Sequence, residues 1–222
     1  MSAANPLVSV IVPAYNAERF LAESIESVFA QTYSPIEIVV INDGSTDGTE
    51  AVARRFSPRI TFASQPNGGI SAARNAAIGM ATGLFFAFQD SDDVWMPRKT
   101  EIQMAAFQAD PSLDMVFGGM QEFSSASNVG PVVAGVVPGT MIVKRESFLR
   151  VGLFDPSFKI AEFLHWYLLA REKGLRELLL PDLVLKRRIH GDNIGIRERK
   201  EIRSYARILK GALDRRRASG PS

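Results

Sequence analysis

Along the first half of the chain, short apolar runs alternate with stretches in which apolar residues recur every three or four positions. The runs at 7–12, 36–41, 60–63 and 84–89 have strand length and are rich in β-branched and aromatic residues. Between them Phe20, Leu21, Ile25, Val28 and Phe29 share one helical face. Helical patterns also cover 47–56, 71–81 and 97–109, the last with Pro97 suited to a first helical turn. This alternation predicts parallel βαβ units in an α/β, doubly wound sheet with a Rossmann-like, mostly parallel order and helices on both faces. The second half is less regular. Residues 113–123 read as a strand, 124–131 as a loop and 139–144 as another strand. A short helix from Glu146, a turn at Asp155-Pro156 and a helix over 162–173 follow. Residues 183–189 are a basic strand leading to His190-Gly191-Asp192-Asn193, and a final helix runs over 197–217.

In doubly wound sheets, ligands bind beyond the carboxyl ends of the strands. The residues just after the four predicted strands are Pro13-Ala14-Tyr15-Asn16, Asn42-Asp43-Gly44-Ser45, Gln65-Pro66-Asn67-Gly68-Gly69 and Asp90-Ser91-Asp92-Asp93. All are polar or carry glycine, and the topology brings them to one edge. Three carboxylates within Asp90–Asp93 repel one another unless a cation or many donors compensate. Hard divalent cations take oxygen ligands, so a metal-diphosphate site is one reading of this cluster. An acidic cap for the helix near Pro97 is the other. The segment Asn42 to Gly48 resembles a calcium loop only in part, because its twelfth position, where a bidentate Glu belongs, is Arg54. Asp43 instead suits a hydrogen bond from a nucleobase, with Tyr15 stacking on that base for ~1–3 kcal/mol; a plain βα turn is the alternative. The glycine turn Asn67-Gly68-Gly69 runs into a helix start whose free N–H groups favour anions, and Arg74 lies one turn in, within reach of a phosphate.

Composition narrows the setting. At 222 residues, 46% hydrophobic and 23% charged, the chain has the make-up of one globular domain, here taken as 1–222. The absence of cysteine removes disulfides and thiolate chemistry and is compatible with a reducing cytoplasm. No apolar stretch reaches membrane-spanning length, so a soluble, cytoplasmic protein is expected. Residues 186–217 hold 12 basic and 4 acidic side chains, leaving 14 basic and 20 acidic elsewhere. A basic tail on an acidic body suggests a negative partner. Contact with the inner face of a membrane through the amphipathic 197–217 helix, and packing of that helix on the domain's own core, both remain open. No nucleic acid partner is expected.

Taken together, the segments Val8 to Asn16, Ile41 to Thr49, Asn67-Gly68-Gly69 with Ala73-Arg74-Asn75, and Gln89 to Asp93 resemble the family 2 glycosyltransferases of GT-A fold. The resemblance runs from Val8 to about Val116. It divides the domain into a nucleotide-sugar half (7–116), an acceptor-side half (117–193) and a basic C-terminal helix and tail (194–222). It implies that Pro13, Tyr15, Glu18 and Asp43 hold the nucleoside, that Arg74 supports the nucleotide, and that Asp90 and Ser91 lie by the nucleotide sugar. It further implies that Asp92, with Asp90, ligates Mg²⁺ or Mn²⁺ and that the metal neutralises the diphosphate leaving group. Arg188 and His190, in Arg187-Arg188-Ile189-His190-Gly191-Asp192-Asn193, resemble a late segment that closes over the diphosphate, with His190 a further candidate metal ligand. A basic strand and turn is the plain alternative.

The implied activity is inverting transfer of a sugar from a nucleoside diphosphate, uridine-based, to a hydroxyl acceptor. Polysaccharide, glycolipid or cell-envelope synthesis is its expected setting. Such transfer needs a carboxylate to deprotonate the acceptor. Here the chain departs from the pattern: Phe154-Asp155 matches, but the expected Glu-Asp pair reads Glu162-Phe163. Glu162 is the candidate base, His165 a weaker alternative. A nucleotide-sugar-binding pseudoenzyme or partner subunit is the rival that Phe163 motivates. A sugar-nucleotide pyrophosphorylase is a second rival, but it needs a glycine-rich basic loop after the first strand, where Pro13-Ala14-Tyr15-Asn16 stands.

Overall fold

The computed structural model describes residues 5–125, 127–158, 160–191 and, beyond them, Ile208, Lys210, Gly211 and Arg215. The first half follows the predicted alternation: β1 (Val8–Ala14), α1 (Leu21–Phe29), β2 (Ile36–Asp43), α2 (Thr49–Arg54), β3 (Thr61–Gln65), α3 (Ile70–Met80) and β4 (Phe85–Phe88). A two-residue strand β5 (Val94–Trp95) precedes α4 (Lys99–Ala109). The second half consists of β6 (Met115–Ser125), β7 (Asn128–Gly135), a 3₁₀ turn (Pro138–Thr140), β8 (Ile142–Lys144), α5 (Arg145–Val151), α6 (Glu162–Glu172) and β9 (Glu177–Arg188). One sheet joins them in the order β3-β2-β1-β4-β8-β6-β9-β5, with β7 paired to β6. The β3-β2-β1-β4 block is parallel, and antiparallel pairing begins where β8 meets β4.

Period-two alternation in the central strands sends side chains to two cores. Val8, Val10, Val12 and Ala14 face one side, where they meet Leu21, Ile25 and Val28 of α1, Val52 and Ala53 of α2, and Met104 and Phe107 of α4. Ile11, Val39 and Ile41 face the other, packing on Ala73 and Ala77 of α3, Phe148 of α5 and Trp166 of α6. Leu21 and Ile25 are fully buried, and each such side chain contributes about 1.5–3 kcal/mol. The two layers of helices hold the strand ends, and therefore the site loops, at one edge.

Four boundaries differ from the sequence reading. The expected loop at 124–131 is largely β7. The turn-forming Gly130 and Pro131 fall where the β6–β7 register shifts, between the pairs Gln121↔Val132 and Phe123↔Val129. Because β7 pairs only with β6, a proline without an N–H is tolerated there. Strand β9 begins at Glu177 rather than 183, since Pro181 interrupts the pattern; its register jumps between Phe117↔Leu179 and Gly119↔Leu183. The strand expected over 139–144 shortens to β8, because a 3₁₀ turn closes ahead of it, Thr140 N donating to Val137 O at 3.1 Å and Met141 N to Pro138 O at 2.9 Å. Pro97 lies two residues ahead of α4 rather than in its first turn. Its carbonyl accepts from Thr32 N at 3.0 Å, which ties the end of α1 to this turn.

The predicted helix over 197–217 lies largely outside the described residues. Of those described there, Ile208 is buried and Arg215 pairs with Glu172 of α6 at 2.7 Å, contacts that lie on the domain itself. Asp192 and Asn193 are outside them altogether. Among the described residues no helix is long and apolar enough to cross a membrane.

Lys99, at the start of α4, is fully buried, donates to Gln103 Oε1 at 2.7 Å and lies 4.8 Å from the Trp95 ring. Burial without a carboxylate holds its pKa well below that of free lysine. Between the folded and ordinary pKa the unfolded chain binds the extra proton, so this group makes stability rise with pH. Wild type is therefore expected to gain on Lys99→Met as pH rises through that window towards the pKa of free lysine, by about 1.4 kcal/mol per pH unit. Urea unfolding at several pH values checks this; a stability difference independent of pH would contradict it.

Candidate nucleotide-sugar site

The loops after β1 and β2 are sewn together. Asn16, in the left-handed region at φ 49°, donates its N–H to Ser45 Oγ at 2.9 Å and accepts from Thr46 N at 2.9 Å. Ala17 N donates to Thr49 Oγ1 at 2.7 Å, and Glu18 N to Asp47 Oδ2 at 3.1 Å. Glu18 Oε2 in return accepts from Gly48 N at 3.0 Å, at the start of α2. Asp47 is thus a helix-start brace, the plain βα-turn reading of that segment. Tyr15, by contrast, leaves its ring 48% exposed above the strand edge. Pro13 is buried inside β1 opposite Ile41, so its ring is scaffold rather than a surface for a nucleoside.

Asp43, at the end of β2, is only 3% exposed. Its Oδ1 accepts from Gln65 Nε2 (2.8 Å) and Gly68 N (2.9 Å), and Oδ2 accepts from Gly69 N (2.8 Å). The carboxylate therefore builds the glycine turn ahead of α3. Gly44 is needed for this closure: it has φ 71°, and a Cβ there would lie 2.7 Å from Asn67 N.

From α3, Arg74 reaches two carboxylates. Its side chain is 1% exposed; Nη2 donates to Asp90 Oδ1 at 2.7 Å and Nη1 to Glu162 Oε1. The guanidinium lies 5.6 Å from the Phe154 ring, and its Nε is buried without a partner. The next residue, Asn75, clasps the backbone of Phe154 in both directions, donating to its O at 2.8 Å and accepting from its N at 3.1 Å. Arg74, expected to support the nucleotide, here bridges Asp90 to Glu162. Glu162 pairs with Arg74 and not with His165, whose ring lies 4.5 Å from that of Phe158. Phe163 is 8% exposed and packs against Phe117, Trp166 and Tyr167, so the expected acidic position belongs to the core.

The acidic turn is held from three sides. Ser24 of α1 donates to Asp90 O at 3.0 Å, Gln89 Nε2 to Asp93 O at 2.7 Å, and Arg188 N to Asp93 Oδ1 at 2.8 Å. Asp93 is 3% exposed and turned inward, while Ser91 is half-buried between the aspartates. Asp92 Oδ2 lies 2.9 Å from His190 Nε2, so the late histidine does meet the acidic cluster. Arg188 does not lie open for a diphosphate. Its guanidinium sits against Phe20 (4.7 Å) and Phe123 (4.5 Å), with Nε on Asp92 O and Nη2 on Glu23 Oε2. Aromatic faces and internal acceptors suit a planar cation, and they make Arg188 a brace for the turn. The sequence does not announce Ser24, Glu23, Phe20 or Asn75 as parts of this architecture, nor that Asp93 turns inward. Only Asn75 and Asp93 were marked in advance, by standing inside the recognisable segments.

Electrostatics favours a cation here. Burial first, and then the charge of Asp90, raise the pKa of Asp92, partly offset by His190. Burial and the charges of Asp90 and Asp92 push Asp93 well above the usual carboxylate range. Asp90 and Asp92 remain 36% and 24% exposed, and His190 19%. Among the described residues no three His, Asp or Glu side chains form a ready metal cage. Mg²⁺ and Mn²⁺ need no such cage: they take one or two carboxylates and complete their shells with phosphate oxygens and water, a demand within the means of the partly exposed Asp90 and Asp92.

Comparison with known proteins agrees with this geometry. An uncharacterised glycosyltransferase of Rickettsia prowazekii is 29% identical over 231 residues, spanning 94% of this chain and 72% of its own. Staphylococcus aureus TarS (residues 1–349), solved with UDP-GlcNAc, superposes with a TM-score of 0.71 at 25% identity. That match covers 84% of this chain but only 59% of the TarS fragment. The mannosyltransferase PcManGT of Pyrobaculum calidifontis, solved with GDP-Man and Mn²⁺, shares the fold, with a TM-score of 0.72 at 22% identity over 94% of this chain and 65% of that one. These neighbours have the GT-A fold, and the profile described as glycosyl transferase family 2 matches residues 9–151. With well over half its length inside that profile, the chain belongs to glycosyl transferase family 2.

Proposed function

We propose that the protein transfers a sugar, with inversion, from a UDP-linked donor to a hydroxyl acceptor of a glycan or lipid-linked molecule, with a divalent cation at Asp92. The observation that carries this reading is the meeting of Asp90, Asp92 and His190 with the Tyr15 and Asp43 loops on one sheet edge. A base stacks on Tyr15. A carboxylate offers about four acceptor positions; three on Asp43 are filled, and the fourth receives an N–H of the uracil. Asp90, Asp92 and His190 would hold Mg²⁺ or Mn²⁺, which when bound supplies Lewis-acid neutralisation of the departing diphosphate. Both candidate arginines are committed internally, which leaves that charge chiefly to the cation.

Glu162 supplies the proton acceptor. Oε1 is fixed by Arg74, and Oε2 has no protein partner among the described residues. As the acceptor oxygen bonds to the anomeric carbon and the bond to the diphosphate breaks, Oε2 takes the hydroxyl proton. Approach from the face opposite the leaving group inverts the centre. Phe163 favours one second reading, a donor-binding protein without efficient transfer, because an apolar core residue stands where the family's usual base belongs.

Two measurements decide between these readings. In calorimetry with UDP and Mn²⁺, Asp92→Ala is expected to weaken binding at least ~10-fold, as loss of one strong ligand contact of about 1.4 kcal/mol or more requires. Binding that ignores both the substitution and the metal would sink the site. In UDP release from UDP-GlcNAc, Glu162→Gln is expected to lower kcat ~10²–10⁴-fold with donor affinity unchanged. A wild type that binds donor yet releases no UDP with any acceptor or with water would favour the second reading.

A further inference from the structure

Arg74 is fully buried, yet it serves two carboxylates from opposite halves of the chain, Asp90 after β4 and Glu162 at the start of α6. It does so while leaving its own Nε unpaired, and an unmet buried donor is costly. The guanidinium is therefore placed by its two acceptors rather than by fullest satisfaction of its donors. The residue before Glu162 is constrained as well. Ala161 sits at φ 61°, ψ 19°, a left-handed conformation unfavourable for any residue with a Cβ. Glu162 is thus gripped from both ends, by a left-handed backbone entry and by a cation on one oxygen, while Phe163 anchors the same helix turn in the core.

We propose that Arg74 is a positioning residue that aims the free oxygen of Glu162 by way of the Asp90–Arg74–Glu162 bridge, and makes no contact with the nucleotide. The inference rests on the reading of Glu162 as base. It has a signature that plain structural damage lacks: Arg74 and Glu162 must act as one unit, so their losses do not add.

The test is UDP release from UDP-GlcNAc with Mn²⁺ by wild type, Arg74→Gln, Arg74→Lys, Glu162→Gln and the Arg74→Gln/Glu162→Gln double variant, beside calorimetric UDP affinity and thermal midpoints. Expected are a kcat loss in Arg74→Gln comparable to that of Glu162→Gln, partial rescue by lysine, and a double variant no slower than the slower single. UDP affinity should stay within about twofold throughout. Ala161→Gly, which relaxes the entry without removing a charge, should lower kcat several-fold with its midpoint unchanged or raised. It keeps the test open if Arg74 variants fold poorly. Additive losses, a UDP affinity that collapses while kcat holds, or an Ala161→Gly enzyme as fast as wild type would overturn the positioning role while leaving the base intact. UDP release that survives Glu162→Gln, or is absent in wild type, would overturn the base reading and this inference with it.

Discussion

A guanidinium withdrawn from water has to be matched in place, and the fold is arranged around one that is. Arg74 faces Asp90 after β4 and Glu162 at the start of α6. Removing one partner of a buried pair typically costs about 3–5 kcal/mol, because the remaining charge is stranded. That penalty makes the distance between the two halves of the site a fixed quantity. Asn75, one residue on, adds a second tie by clasping Phe154 at the entrance to the 154–162 segment. Helix α3 therefore joins two roles, covering one face of the sheet with Ala73 and Ala77 and holding the acceptor-side segment with Arg74 and Asn75.

The acidic turn states the complementary constraint. Burial and the neighbouring carboxylates raise the affinity of Asp92 and Asp93 for protons, and backbone donors, His190 and Arg187 oppose that. Arg188 fixes the turn's shape with its backbone N–H, its Nε and two aromatic faces. The result is rigid in geometry but short of positive charge at the open edge. A divalent cation would answer that deficit, whereas a simple helix cap would not require three carboxylates with two left partly exposed. The cap reading is weakened further because α4 starts at Lys99 with no side-chain cap bond.

Much of this was legible in the sequence, and what was not has a common cause. The βαβ half depends on local periodicity, so β1 to β4 and their helices fall within a few residues of expectation. The four edge loops follow from topology alone. Long-range partnerships are different: nothing near Arg74 in sequence announces Glu162, 88 positions away. Arg74 and Arg188 read as phosphate ligands because an arginine beside a glycine turn or a histidine looks free until its acceptors are seen. Prolines misled in the second half, where Pro131 and Pro181 sit at register shifts inside long strands. Phe163 was visible as a departure, but only packing shows that it has joined the core and left Glu162 as the one carboxylate of that pair of positions, held by Arg74.

On the proposed reading, one edge binds a metal-diphosphate while Arg74 stays with its carboxylates. A crystal structure with UDP and Mn²⁺, with the metal located by anomalous scattering, tests this most directly. Manganese is expected at Asp92, in direct contact with its carboxylate oxygen as hard divalent ions bind, with Arg74 still bridging Asp90 and Glu162. Manganese elsewhere, or Arg74 swung from Glu162 onto a phosphate, would contradict it.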